Sequence, residues 1–446
     1  MFVQLNDMLT NVPLYFTMKN LSLFKRSMFA ATLISLILTS VGAFFAQSPL
    51  AKPREERLLN GLKVLMFSDS AAKDVTVRVR IHSGAAFDPQ GKEGVMRLLA
   101  DNIFPNDAAR EYFREDLGGG LEIVTNYDYI QVTASAKPED FLTMLDTLAS
   151  AVANPAIDKP TTAKLKASLI AQVKLLEADP AYTADQAAAK RLFGTFPYGR
   201  PQYGSSDSIE KVDFADLIDA KQRFLTADNA TIAVSGNFDK VLGFRAIRRY
   251  FGAWLKSDKR VPSTFRQPDP PPTGLLMLNS PKPDESAMRF AVRGTNRKDK
   301  DFAASTIYAS VLETRLRARV PAAFAEKVSV RSESHTLPGV ILIGFSASKN
   351  DIGTGNGKVE GNELVAKAIA DPITEAEFQT AKTAFAAEWA KVDVATLWLD
   401  LDTFKTTDTA SDSKVAEAAT LADVRAFADR IKNSPMAAVL VNTPAN

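Results

Sequence analysis

Gly94-Val95-Met96-Arg97-Leu98-Leu99-Ala100-Asp101-Asn102-Ile103-Phe104 decides how this chain is read. At helical spacing, Val95, Leu98, Leu99 and Ile103 fall on one apolar face, while Arg97 and Asp101 project from the other as an i, i+4 pair. Just upstream lie Ser83-Gly84-Ala85-Ala86-Phe87-Asp88-Pro89 and Gly91-Lys92. Before them, Val75, Val77, Val79 and Ile81 alternate as in a strand, with Arg78, Arg80 and His82 on the opposite face. A strand, a glycine-rich approach and an amphipathic helix therefore follow one another.

That order resembles the M16 (insulinase-like) zinc metallopeptidases, which carry a G-x-x-H-x-x-E-H-x-x-F helix at this point. On that pattern the first histidine becomes Arg97, the catalytic glutamate Ala100 and the second histidine Asp101. A zinc site of this type needs two neutral imidazoles and a carboxylate, with a fourth position left for water. The imidazoles must share one helix face at i and i+4. Only two histidines exist, His82 and His335, and there is no cysteine to replace them. Alanine at 100 offers no proton to exchange with a bound water. The resemblance thus implies a degenerate member with no catalytic residue and no metal cofactor.

Length and composition fit that frame. The 446 residues, 46% of them apolar, predict two or more packed domains. A net charge of +2, with acids and bases interspersed, disfavours nucleic acid as a partner. The absence of cysteine removes a disulfide framework and thiol catalysis. Lys19, Lys25 and Arg26 precede the uncharged run Met28–Ala46, so residues 1–46 read as a signal peptide or an uncleaved N-terminal anchor. Either reading predicts export to the periplasm, with membrane contact only through an uncleaved segment.

Lys52–Arg57 reads as a short charged spacer, and the first domain is placed at 53–256. The proline-rich stretch 257–273 reads as an extended linker, and the second domain as 274–446. The second half repeats the first. Asn154–Val173 corresponds to Asp371–Val392, and Asp213–Val234 to Thr420–Val441. Two correspondences at a similar offset indicate a duplicated α+β unit. With the resemblance, this predicts two homologous M16-type (LuxS/MPP-like) domains, each an antiparallel or mixed sheet packed with helices.

The remaining site positions follow from the resemblance. The family's third zinc ligand is a glutamate on the next long helix; counting back from Asp179-Pro180 gives Gln172, with Glu177 the nearby alternative. An arginine and a tyrosine that contact substrate in R-x-x-x-G-L-A-Y map to Arg319 and Glu326. Gly118–Gly120 opens a hairpin turn, whose strand Leu121-Glu122-Ile123-Val124 could pair with an extended peptide. No lysine-serine/threonine pair follows those glycines and no G-x-S-x-G occurs, so a phosphate loop and a serine nucleophile are both disfavoured. His82 reads as a structural or exposed strand-end residue and His335 as a loop or strand-edge residue. The expected function is a catalytically inactive peptidase-like subunit, a pseudoenzyme pairing with an active M16 subunit around a peptide substrate. The alternatives are a stand-alone exported peptide-binding or scaffold protein, and an active peptidase using ligands such as Asp101 and Glu177.

Overall fold

The computed structural model describes residues 52–257, 265–348, 351–352 and 359–443. The expected signal peptide or anchor at 1–46 and part of the linker lie outside the described residues. Among those described, no helix is long and apolar enough to cross a membrane.

The strands are β1 (Arg54–Arg57), β2 (Lys63–Ser68), β3 (Val75–Ile81), β4 (Gly120–Thr125), β5 (Ile130–Ala136), β6 (Ala230–Gly236), β7 (Leu275–Asn279), β8 (Glu285–Arg293), β9 (Val328–Glu333), β10 (Val340–Ser348) and β11 (Ala437–Asn442). They form two sheets, in the orders β1-β2-β6-β3-β5-β4 and β7-β11-β8-β10-β9. β2 runs parallel to β6, and β7 parallel to β11; the other neighbours are antiparallel. From β2 onward the first sheet therefore repeats the order and directions of the second. The duplication read from sequence is a duplication of topology, and the fold is two α+β units within the compact body Leu50–Asn446.

Helix caps follow the same repeat. Asp213 with Asp216 and Thr420 with Asp423 form reciprocal capping boxes at equivalent places, heading the helices Phe214–Phe224 and Leu421–Lys432. The spacer reading of Lys52–Arg57 is corrected: Arg54–Arg57 is an edge strand paired with Lys63–Met66. Its four charged residues carry no apolar period, and charge is a common way to protect a sheet edge. The linker is anchored on its described side. Phe265 packs its ring against Phe87 and Phe196, and Arg293 donates to the carbonyls of Pro268 and Asp269.

Each sheet buries one face under its own helices. The apolar side of β3, with Val64, Met66, Ile232 and Val234, meets Leu98, Leu99, Met144 and Leu148. In the second half, Phe290, Val292, Ile341 and Ile343 meet Ile307, Leu312, Phe378 and Phe427. The other faces are covered by exchange. Helix Pro180–Phe193, from the first half, lays Ala184, Ala188 and Leu192 on Ala287, Ala291, Val439 and Val441 of the second sheet. Helix Val394–Phe404, from the second half, lays Ala395 and Leu399 on Leu65, Phe67 and Ala233 of the first.

Ion pairs lock this exchange. Arg80, 1% exposed, donates to Asp400 at 2.5 Å and stacks on Tyr129 at 4.1 Å. Lys63 pairs with Asp402 at 3.1 Å and Arg78 with Asp393 at 3.3 Å. On the other side, Asp185 accepts from the buried Arg289 and, at 2.7 Å, from Arg331. The row Arg78, Arg80, His82 that reads as a strand's polar face is thus a seam between the halves, with Arg80 buried at its centre. His82 is half-buried between the hydroxyls of Thr403 and Thr231, each at 3.0 Å.

Candidate functional site

The helix beginning at Val95 is held from both ends of its approach. Gly94 adopts φ 110°, where a side chain is strained, and a Cβ there would stand 3.1 Å from the Tyr203 carbonyl. The buried Asp88 carboxylate accepts from the Gly94 N–H at 2.8 Å and the Met96 N–H at 2.7 Å, tying off free donors of the first turn. Burial pushes the Asp88 carboxyl up to about 7 despite those bonds. Arg200 reaches back to the carbonyls of Asp88 and Ala86 at 2.6 and 3.1 Å. Asp88 and Arg200 are anchors that the sequence reading passed over; an aspartate just ahead of a glycine-led helix is the signal for the first.

The helix spans Val95–Asp101 and buries Val95, Met96, Leu98, Leu99 and Ala100. Only Arg97 and Asp101 remain half-exposed along it. The Arg97 Nε donates to both Asp101 carboxylate oxygens, at 2.9 and 3.0 Å, and its guanidinium lies 5.4 Å from the Tyr203 ring centre. Burial raises the pKa of Asp101 in spite of the Arg97 charge. Ala100, at 0% exposure, belongs to the first-half core.

Gln172 donates to Ser168 Oγ at 3.2 Å, one turn back on its own helix, Lys159–Glu177. Glu177 accepts from the Ser206 N–H at 2.9 Å and the Ser206 hydroxyl at 2.7 Å. Ser206 opens the short helix Ser206–Glu210, three residues after Tyr203. This segment therefore meets Arg97 through Tyr203 and Glu177 through Ser206, while Gln172 bonds elsewhere. Among the described residues no three His, Cys, Asp or Glu side chains converge on a metal-sized point. These residues do not fit a zinc ion: a guanidinium stands where one imidazole would be, its partner carboxylate is chelated by it, and Glu177 is engaged by Ser206.

Residues 63–205 match the family described as insulinase (peptidase family M16), and residues 211–385 match the peptidase M16 inactive domain. The chain belongs to peptidase family M16. A mitochondrial cytochrome b-c1 complex reductase subunit of Candida albicans is 25% identical over 185 residues, 41% of this chain and 40% of that protein. An uncharacterized zinc protease of Mycobacterium bovis is 23% identical over 213 residues, 47% of this chain and 49% of its own length. The matches thus span half or less of the length of the curated relatives. The peptidase M16 inactive domain of Pseudomonas fluorescens shares the fold, with a TM-score of 0.76 at 17% identity over 89% of this chain and 98% of that one.

The other M16 positions are spread over both halves. Among the described residues β4 is the outer strand of the first sheet and pairs only with β5. Leu121 and Ile123 lean on the core, Glu122 is exposed, and Val124 is half-buried. Among the described residues the strand's outer backbone edge has no strand partner, with Leu121 and Ile123 turned inward and Val124 on the face of Glu122. Arg319 ends the helix Phe302–Arg319 and donates to the Asp371 carboxylate. Glu326 is exposed at the end of a short helix, Ala322–Ala325. Arg319 and Glu326 lie in the second half's own helical layer, and their described contacts do not reach the Arg97–Asp101 pair.

The two halves also meet through the tips of equivalent hairpins. His335, between β9 and β10, bonds through Nδ1 to Asp128 Oδ2 at 2.9 Å; Asp128 lies between β4 and β5. Asp128 Oδ1 accepts from the Tyr198 hydroxyl at 3.1 Å and the Thr336 N–H at 3.0 Å. The expectation of a loop or strand-edge histidine holds for its position, yet the side chain is a clasp between halves. Burial opposes its protonation, but the hydrogen bond and charge of Asp128, with Glu333 behind, leave its pKa raised. The Asp128 pKa is lowered, the same bond outweighing burial.

A raised histidine pKa contributes stability that is present below the unfolded value and lost as pH rises through the folded one. His82 has the opposite sign: burial lowers its pKa to about 3, so it costs stability as pH falls below its unfolded value. The His335→Gln variant should therefore lose more urea resistance, relative to the parent, at about pH 5.5 than at about pH 8, on either side of an ordinary histidine pKa. An equal loss at both would show that the clasp carries no charge.

Proposed function

We propose that this chain is a non-catalytic M16 subunit that pairs with an active, H-x-x-E-H-bearing M16 peptidase in the bacterial periplasm and completes its peptide chamber. The observation that carries the reading is the Arg97–Asp101 chelate, which fills the metal helix with a self-satisfied ion pair on an intact, well-anchored scaffold. A scaffold preserved without its chemistry supports a role in shape and assembly. The complex-subunit name of the Candida albicans relative supports the same role, whereas the zinc protease name of the mycobacterial one leaves activity to the experiment.

Co-expression with an H-x-x-E-H-bearing M16 peptidase of the same organism should give a stable heterodimer. In it, Arg319→Ala should lower peptide hydrolysis about ten-fold while assembly is unchanged, the loss of one charge-assisted hydrogen bond to a substrate carbonyl or carboxylate. If the peptidase is fully active alone and ignores this chain, the subunit reading fails. The second reading, a stand-alone exported peptide binder or scaffold, then takes its place. It is favoured by the unpaired edge of β4, which an extended peptide could join as an added strand.

A further inference from the structure

The repeat exposes one difference between the halves. In the first, helix Lys240–Phe251 follows β6, packs on helix Phe141–Ala153 and is tied to residues at either end of β2. Its approach is pinned where Ser68 donates to the Phe238 carbonyl at 2.6 Å, and its far end where Asn60 donates to the Phe251 carbonyl at 2.9 Å. It turns Gly243, Ala246, Ile247 and Phe251 inward, at i, i+3, i+4 and i+8. Lys240, Arg245, Arg248 and Arg249 point to solvent. Beneath it Val64 and Met66 of β2 are 0% exposed, and β1 covers the outer edge of β2.

In the second half β7 takes the place of β2, but no described strand covers its outer edge, and on the side away from helix Pro180–Phe193 its residues stay exposed. Leu276 and Leu278 face the exchanged helix Pro180–Phe193. Leu275 and Met277 alternate with them and face the helical layer, where they are 38% and 66% exposed. Beside them a groove of about 540 Å³ opens, lined by Leu275, Phe290, Val365, Ile369, Ile431 and Met436. Helices Gly361–Ala370 and Leu421–Lys432 form its walls, as their counterparts Phe141–Ala153 and Phe214–Phe224 flank the first-half site.

We infer that this groove docks an amphipathic helix of a partner protein, one presenting apolar side chains at i, i+3, i+4 and i+8, the pattern with which the first half fills the same position. The first half shows what the architecture accepts: a helix laid beside the parallel strand pair, with its charged side outward. Exposed apolar surface of this kind, rimmed by polar residues such as Asn362, Lys432 and Ser434, marks interaction sites. The inference is independent of whether the partner is an active peptidase.

The probe is the synthetic segment 237–255 of this chain, titrated into the full protein, with amide exchange of Leu275–Asn279 and Gly361–Ala370 as the readout. Saturable slowing of exchange in both segments is expected. Leu275→Lys in the protein, or Ile247→Asp in the peptide, should weaken it about ten-fold or more, since either buries a charge against the groove. The exposed position of Leu275 lets that variant keep the parent's thermal midpoint, separating lost docking from lost folding. No saturable slowing, or unchanged affinity with both substitutions, overturns the inference. So does an apolar dye such as anilinonaphthalene sulfonate that occupies the groove and is not displaced by the peptide, an outcome that assigns the groove to small ligands.

Discussion

Asp400→Ala should destabilise the protein by roughly 3–5 kcal/mol, because it leaves the Arg80 guanidinium buried without its anion. Arg80 is 1% exposed, and its remaining partners, the Gln131 side chain, the Thr403 hydroxyl and the Tyr129 ring, carry no full negative charge. Asp185→Ala should cost a similar amount on the opposite side, where Arg289 and Arg331 share that carboxylate. The pair matters beyond stability, since each aspartate sits on a helix lent by one half to the other. Urea unfolding should show a lowered midpoint in both variants. The double variant Arg80→Met/Asp400→Leu, which removes the charge along with its partner, should recover much of the loss. A midpoint unchanged by Asp400→Ala would mean that the seam is hydrated and that the exchanged helices are held by their apolar contacts alone.

Ala100→Glu is the second large effect, and its sign separates a resting zinc site from an abandoned one. In an intact M16 helix this position bears the glutamate that acts on the metal-bound water. Here Ala100 is enclosed by the first-half core, and the neighbouring Arg97 is already committed to both oxygens of Asp101. A carboxylate at 100 would meet apolar walls and excess volume, and should cost roughly 2–5 kcal/mol. Adding Arg97→His and Asp101→His restores the motif on paper, yet the site would still lack a free third carboxylate while Glu177 is held by Ser206. A urea midpoint equal to that of the parent would contradict this, for it would require a solvated pocket at 100 ready to receive the side chain.

Much of the architecture is legible in the sequence because it rests on local periodicity. The alternation at Val75–Ile81, the helical spacing at Val95–Asp101 and the repeat of Asp213–Val234 in Thr420–Val441 are all patterns within one element or between two copies of it. The exchange of helices is not of this kind. Arg78, Arg80 and His82 have the spacing of a solvated strand face, and only the arrival of Asp393, Asp400 and Thr403 from more than 300 residues away turns that face inward. β1 was hidden by its composition, four charged residues without an apolar period. At the candidate site, Arg97, Ala100 and Asp101 could be placed by motif alone. The choice between Gln172 and Glu177 could not, since the partners of each side chain come from packing: Gln172 bonds within its own helix, and Glu177 bonds Ser206.

Whether the metal helix of this M16 chain takes up zinc, or carries the Arg97–Asp101 ion pair in its place, is decided by metal analysis of the full chain, purified under mild conditions in the presence of zinc and then freed of excess ion. No stoichiometric zinc is expected, because an arginine-chelated aspartate and a serine-bound glutamate cannot supply the donors that a tetrahedral site requires. Close to one zinc per chain, lost on Asp101→Ala or Glu177→Ala, would contradict that expectation and return the protein to the active peptidases.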